Sequence, residues 1–109
     1  NKQKIKNGLL TIFLQHTSCS LLIQENADPD VQKDLKKFFD QIVPENNNYI
    51  HQSEGPDDMP AHIKTTLMQT QLSIPVENHQ MVLGTWQGIY IFEHRKKNHN
   101  RQIKLHFIG

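Results

Sequence analysis

From Gln71 to the end of the chain the apolar residues recur with a period of two. "QLSIPV", "QMVLGT", "GIYIFEH" and "RQIKLHFI" are separated by turn material at 77–79, 86–87 and 96–100. Alternation of this kind sends successive side chains to opposite faces of a strand, so four such runs with short connections predict an antiparallel meander. In the last run Ile103, Leu105 and Phe107 alternate with Gln102, Lys104 and His106, which leaves one face wet.

Upstream, "NGLLTIFLQH" opens on the turn dipeptide Asn7-Gly8 and places Leu10, Ile12, Leu14 and His16 on one face. His16 therefore ends a core-facing row. "TSCSLLIQEN" reads as a second short strand. "NADPDVQKDLKKFFDQIVP" is the clearest helix: Asp28 caps, Pro29 suits the first turn, and Val31, Leu35, Phe38, Phe39 and Ile42 form one apolar stripe before Pro44 stops it. A polar loop follows. Asp58 then starts a shorter helix with Ile63 and Leu67 on its buried side, and His62 lies one turn after Asp58. The sum is a single α+β domain over 1–109, two helices packed on an antiparallel-rich sheet. A chain of 109 residues buries roughly 60 to 70% of its unfolded surface, enough for one modest core.

Charge excludes some classes of partner. Twelve Lys+Arg against eleven Asp+Glu are interspersed except at "HRKKNHNR", whose place between two alternating runs reads as a solvated hairpin loop. The pattern argues against a nucleic-acid binder, and no apolar run is long enough for a membrane span. Cys19 is the lone cysteine and cannot form an internal disulfide, which fits a reducing, cytoplasmic setting.

Histidine is enriched, seven in the chain, and three clusters carry possible chemistry. In "GTWQGIYIFEHR", Trp86 stands between Gly84 and Gly88, and strand geometry puts Glu93 and Arg95 on one face, within reach of an ion pair or a bound anion. His16 with Thr17, Ser18 and Cys19 has the ingredients for nucleophilic catalysis or for holding a phosphate; Cys19 reads more simply as a small buried residue. His51, Glu54, Asp57, Asp58 and His62 combine imidazole with carboxylate and suit a divalent metal or an acid/base pair. Their spacing matches no strong metal signature, and helix capping by Asp58 is the plain alternative.

"HTSCSLLIQENADPDVQKDL", "EGPDDMPAHIK" and "LGTWQGIYIFEHR", in this order and separation, resemble the YjbQ family, named for a secondary thiamine-phosphate synthase activity. The resemblance runs from about Gly8 to the last strand. It implies a twisted sheet or sandwich assembled as a homotrimer, with sites near subunit boundaries. It also implies that N-terminal strand residues common in the family are missing here, and that His79 stands where glycine is frequent. The named reaction joins hydroxymethylpyrimidine diphosphate to thiazole phosphate with release of diphosphate. Under that resemblance His16, Asp58, His62 and Arg95 are the catalytic candidates. Thr17, Ser18, Glu25, Asn26, Trp86, Gln87 and Glu93 would bind substrate, and His51, Asp58 and His62 would hold a divalent metal, Mg²⁺ for diphosphate chemistry or Zn²⁺ at histidines. Asp34 on the first helix is another polar family position. Lys64 and Arg95 are further candidates for phosphate, and Trp86 for stacking on the pyrimidine. A metal-dependent hydrolase or phosphatase of a small phosphorylated metabolite, or a non-catalytic trimeric binding module, are the alternatives.

Overall fold

The computed structural model describes residues 6–97 and 99–109. The expectation about missing N-terminal strand residues, and the Asn98 part of the turn expected at 96–100, lie outside the described residues. The elements run β1 (Gly8–Leu14), β2 (Cys19–Glu25), α1 (Pro29–Ile42), α2 (Asp58–Leu67), β3 (Gln71–Glu77), β4 (Gln80–Met81), β5 (Gln87–Glu93) and β6 (Ile103–Ile108), an α+β order as expected. The strands form two antiparallel sheets, one four-stranded in the order β4-β3-β1-β6 and one a ribbon of β2 and β5.

The meander expected from Gln71 onward does not form. β5 leaves the first sheet to pair with β2, and β6 returns to pair with β1. Both sheets feed one core: Ile12 and Leu14 of β1 and Leu72 and Ile74 of β3 meet Cys19 and Leu21 of β2, with Ile23 and Ile89 packed against them. Crossing between sheets lets β5 add to that core from the far side. β3 keeps strict alternation, with Leu72, Ile74 and Val76 buried and the residues between them exposed. β4 is only two residues long although "QMVLGT" was expected to be a strand. Val82 N–H donates to the Pro75 carbonyl, but Pro75 has no N–H to return the bond, so the ladder stops there.

Asp28 caps α1 as expected, its Oδ1 accepting from Asp30 N–H at 2.9 Å. The apolar stripe is covered only in part. Phe39 packs edge-on against Phe92 at 5.9 Å, whereas Phe38 and Ile42 are about half exposed. α2 turns a different face inward from the one expected: Asp58, Pro60, Ala61 and Lys64 are buried, and Leu67 is exposed. The reason is pairing, because a buried charge is tolerated where it meets an opposite one. Lys64 Nζ reaches Asp40 Oδ1 on α1 at 2.6 Å, and Asp58 is met by Arg95 and two histidines.

β6 is exposed on both faces, where one wet face was expected. An apolar trough floored by Ile12, Leu21, Ile89, Ile91, Ile103 and Leu105 opens beside it. The fold is elongated accordingly, with a radius of gyration of 16.5 Å, against about 13 Å for a compact domain of this length. Among the described residues no helix is long and apolar enough to cross a membrane.

Candidate functional site

The start of α2, the loop before it, the end of β5 and the 15–18 loop between β1 and β2 meet at one end of the ribbon. There His51 Nε2 lies 2.7 Å and His62 Nε2 3.1 Å from Asp58 Oδ2. One donor atom from each of the three falls within 4.8 Å of the others. Asp58 is 3% exposed, while both imidazoles remain partly open to solvent. Burial alone would raise the Asp58 carboxyl; the His51 hydrogen bond and the charges of His62 and Arg95 outweigh it and hold the group below its ordinary range.

His62 Nδ1 lies 2.9 Å from the Thr17 carbonyl. A carbonyl only accepts, so Nδ1 carries a proton there, while Nε2 faces Asp58 Oδ2. A carboxylate oxygen also only accepts, so the 3.1 Å approach of Nε2 calls for a proton on that nitrogen as well or for a cation between the two. Two imidazoles and a buried carboxylate are a donor set that fits Zn²⁺, and the Thr17 carbonyl is the second partner a metal-bound histidine commonly has.

Arg95 is placed differently from the expected phosphate handle. Its Nη1 donates to Asp58 Oδ1 at 2.8 Å and its Nη2 to the Glu54 carbonyl at 2.9 Å. Its Nε lies 3.2 Å from Asp57 Oδ2, an ion pair without a directed hydrogen bond. Asp57 is the first cause holding the guanidinium pKa above its usual value. Gly55, at φ +106°, gives the turn that brings the Glu54 carbonyl round, a conformation that strongly favours glycine. The fork is thus occupied by the protein, and its effect is to orient Asp58 so that Oδ2 faces the histidines.

The expected Glu93–Arg95 side-chain pair does not form. β5 ends at Glu93, so the two-residue face rule no longer holds at Arg95, whose backbone N–H alone reaches Glu93 Oε2 at 3.0 Å. Glu93 is clamped by Arg101 instead, through Nε at 2.7 Å and through Nη2. Sequence reasoning missed Arg101 because β5 and β6 lie in different sheets, and no local spacing signals a contact across them. Lys64, also expected to bind phosphate, is buried against Asp40.

His16 accepts the Gln102 N–H on Nε2 at 2.6 Å, and Ser18 Oγ accepts from Arg101 Nη1 at 3.0 Å. Of the expected catalytic set, Asp58, His62 and Arg95 are together, and His16 serves to tie two loops. Glu25, Asn26, Trp86 and Gln87 gather at the opposite end of the ribbon. Cys19 pairs with Glu93 at one end and Glu25 with Gln87 at the other, a span of about 20 Å for seven residues. There Asn26 Nδ2 donates to the Thr85 and Gln87 carbonyls, and Gln87 Oε1 accepts the Gly84 N–H at 2.7 Å. Trp86 is 65% exposed. Gly88 answers to packing, since a Cβ there would sit 3.0 Å from the Tyr90 hydroxyl. The expected catalytic and substrate-binding residues therefore fall into two groups, one at each end of the ribbon. Asp34 is exposed on α1.

The family described as UPF0047 protein YjbQ-like matches residues 1–109. The chain belongs to this family. It is similar to the UPF0047 protein sll1880 of Synechocystis, 53% identical over 106 residues, covering 96% of this chain and 72% of that protein. It is 48% identical over 100 residues to the UPF0047 protein YjbQ of Escherichia coli O157:H7, covering 92% and 72%. A crystal structure of a YjbQ/UPF0047 family protein from Clostridium acetobutylicum superposes with a TM-score of 0.87 at 36% identity, covering 98% of this chain and 80% of that one.

Proposed function

We propose that this YjbQ-like chain is a metal-dependent enzyme acting on a small phosphorylated metabolite, with His51, Asp58 and His62 as the metal ligands. The observation that carries it is the convergence of two imidazole nitrogens on one buried carboxylate oxygen. Two nitrogen donors favour Zn²⁺ over Mg²⁺, which prefers oxygen. With Arg95 and Lys64 both committed to carboxylates, a divalent cation at this cluster is the natural counter-charge for phosphate. When bound, it supplies Lewis acidity toward a phosphoryl oxygen. The chain's own residues do the rest: Arg95 orients Asp58, Thr17 fixes the proton of His62 on Nδ1, and the open edges of His51 and His62 leave the cluster accessible.

The reaction proposed is formation of thiamine phosphate from hydroxymethylpyrimidine diphosphate and thiazole phosphate, which rests on the family resemblance. The separation of the two ends of the ribbon, about 20 Å, means that a stacking role at the cluster needs a Trp86 from the tip of a neighbouring subunit. A cytoplasmic homotrimer is the assembly proposed, and the exposed Phe38, Ile42 and Leu105 supply apolar surface for it. That same separation favours, as a second reading, hydrolysis of a single phosphorylated metabolite at the cluster alone.

The test compares metal-free protein with protein reloaded with Zn²⁺ or Mg²⁺, assaying coupling of the two halves and phosphate release from each half. Coupling with Zn²⁺ that is lost in Asp58→Asn supports the synthase. Metal-dependent phosphate release without coupling selects the hydrolase. Binding of substrate with no turnover under any metal points to a binding module and ends the enzymatic proposal.

A further inference from the structure

The proton on His62 depends on the position of one carbonyl in a four-residue connection. Residues 15–18 join β1 in one sheet to β2 in the other, and Thr17, whose carbonyl accepts from His62 Nδ1, is itself exposed. Backbone bonds from His94 N–H to the Ser18 carbonyl and from Gln15 N–H to the Gln102 carbonyl, each 3.3 Å, tie the ends of the loop, and the side chain that holds it is Arg101. Its Nη1 donates to Ser18 Oγ at 3.0 Å and its Nη2 to the Ser18 carbonyl at 3.2 Å, directly after Thr17. The guanidinium is itself fixed by the carboxylate of Glu93 at the end of β5, and its side chain is 10% exposed. Next to it, Gln102 N–H caps His16 Nε2. Glu93 Oε2 also accepts the Arg95 N–H. One carboxylate thus joins an arm that ends on His62 to an arm that ends on Asp58.

We propose that Arg101 is the positioning residue that sets the ring tautomer of His62, acting through Ser18 and the Thr17 carbonyl. With the loop held, Nδ1 keeps its proton on the Thr17 carbonyl, and Nε2 is the nitrogen left facing the cluster for a cation to take. A histidine ligates a metal only through an unprotonated nitrogen, and removing the partner of its other nitrogen typically weakens binding 10- to 100-fold. Lysine does not replace Arg101, because a point charge lacks the planar fork that contacts Glu93 and both Ser18 oxygens together. The consequence for affinity rests on the metal reading above; the tautomer itself does not.

The experiment measures two quantities on the parent, Arg101→Lys, Arg101→Met and Ser18→Ala. The first is the His62 tautomer, read from ring-nitrogen chemical shifts of metal-free protein at mildly alkaline pH. The second is Zn²⁺ affinity by competition with a chelator. The parent is expected to show Nδ1–H. Both Arg101 variants are expected to shift toward Nε2–H, the form free imidazole prefers, and to bind Zn²⁺ about 10- to 100-fold more weakly; Ser18→Ala moves the same way by less. An Arg101→Lys protein with a native amide spectrum, an unchanged His62 tautomer and parental Zn²⁺ affinity overturns the proposal. Should Arg101→Met fail to fold, Arg101→Lys and Ser18→Ala decide by the same two readings. A parent that binds no Zn²⁺ removes the metal reading, and the tautomer comparison still decides the role of Arg101.

Discussion

The two ends of the β2–β5 ribbon are built on opposite principles. At the Cys19/Glu93 end the charged side chains are saturated by one another: Arg95 with Asp57 and Asp58, Arg101 with Glu93, and Asp58 also with two histidines. At the Glu25/Gln87 end the polar side chains bond backbone groups instead, and the largest side chain, Trp86, stands in solvent. The first end therefore mixes site and scaffold in the same residues. At the second, Glu25, Asn26 and Gln87 brace backbone turns, and Trp86 stands clear of them, open to a ligand or a neighbouring molecule.

Four measurements break or sharpen that contrast. The largest effect is expected from Arg95→Met, which leaves the buried Asp58 without its guanidinium; chemical denaturation should show a loss of about 3–5 kcal/mol. A loss below about 1 kcal/mol would mean that the saturated end is not structural. Next comes His94, at the same end, whose ring is buried with Nε2 2.8 Å from Ser20 Oγ and with Nδ1 lacking a partner among the described residues. Burial, followed by the charge of Lys64, lowers its pKa from 6.5 to about 4, with Arg101 adding to the fall and Glu93 and Asp40 opposing it. The unfolded chain thus takes up a proton near pH 6.5 that the native chain refuses until about pH 4. Stability falls as pH drops through that window, by roughly 2 kcal/mol after discounting for solvent screening. His94→Gln should flatten this part of the pH profile, and an unchanged slope would refute the assignment.

A smaller gain is expected in the β3–β4 turn, where Asn78 and His79 both adopt positive φ, 50° and 66°. His79→Gly relieves the left-handed strain and should stabilise by about 1 kcal/mol, seen as a higher Tm; a lower Tm would show that the imidazole contributes contacts that outweigh strain. The smallest effect is reserved for Trp86→Ala, expected within about 0.5 kcal/mol of the parent in stability. A large destabilisation would show that the indole is packed, and the contrast between the two ends would collapse.

Legibility from sequence followed the range of each interaction. The Asp28-Pro29 start of α1 and the alternation of β3 are short-range patterns, and both appear where their spacing put them. The His51, Asp58 and His62 group was legible as a set of residue types, since Asp58 and His62 lie one helical turn apart. The inward face of α2 was not, because hydropathy favours Ile63 and Leu67 and is overruled by ion partners supplied from other elements. Arg101 and the division of the site depend on which strand pairs with which. A periodic pattern records which way a side chain points along a strand, and not the sheet to which that strand belongs.

Cys19 lies fully buried in the core shared by both sheets, its thiol pKa raised chiefly by that burial. It is also the only sulfhydryl in the chain. Alkylation by a soluble reagent is therefore a single-hit event that requires the two sheets to part. Its rate in native buffer is a clock for that opening, readable by mass without an added probe, and it allows the variants above to be ranked by lifetime as well as by free energy.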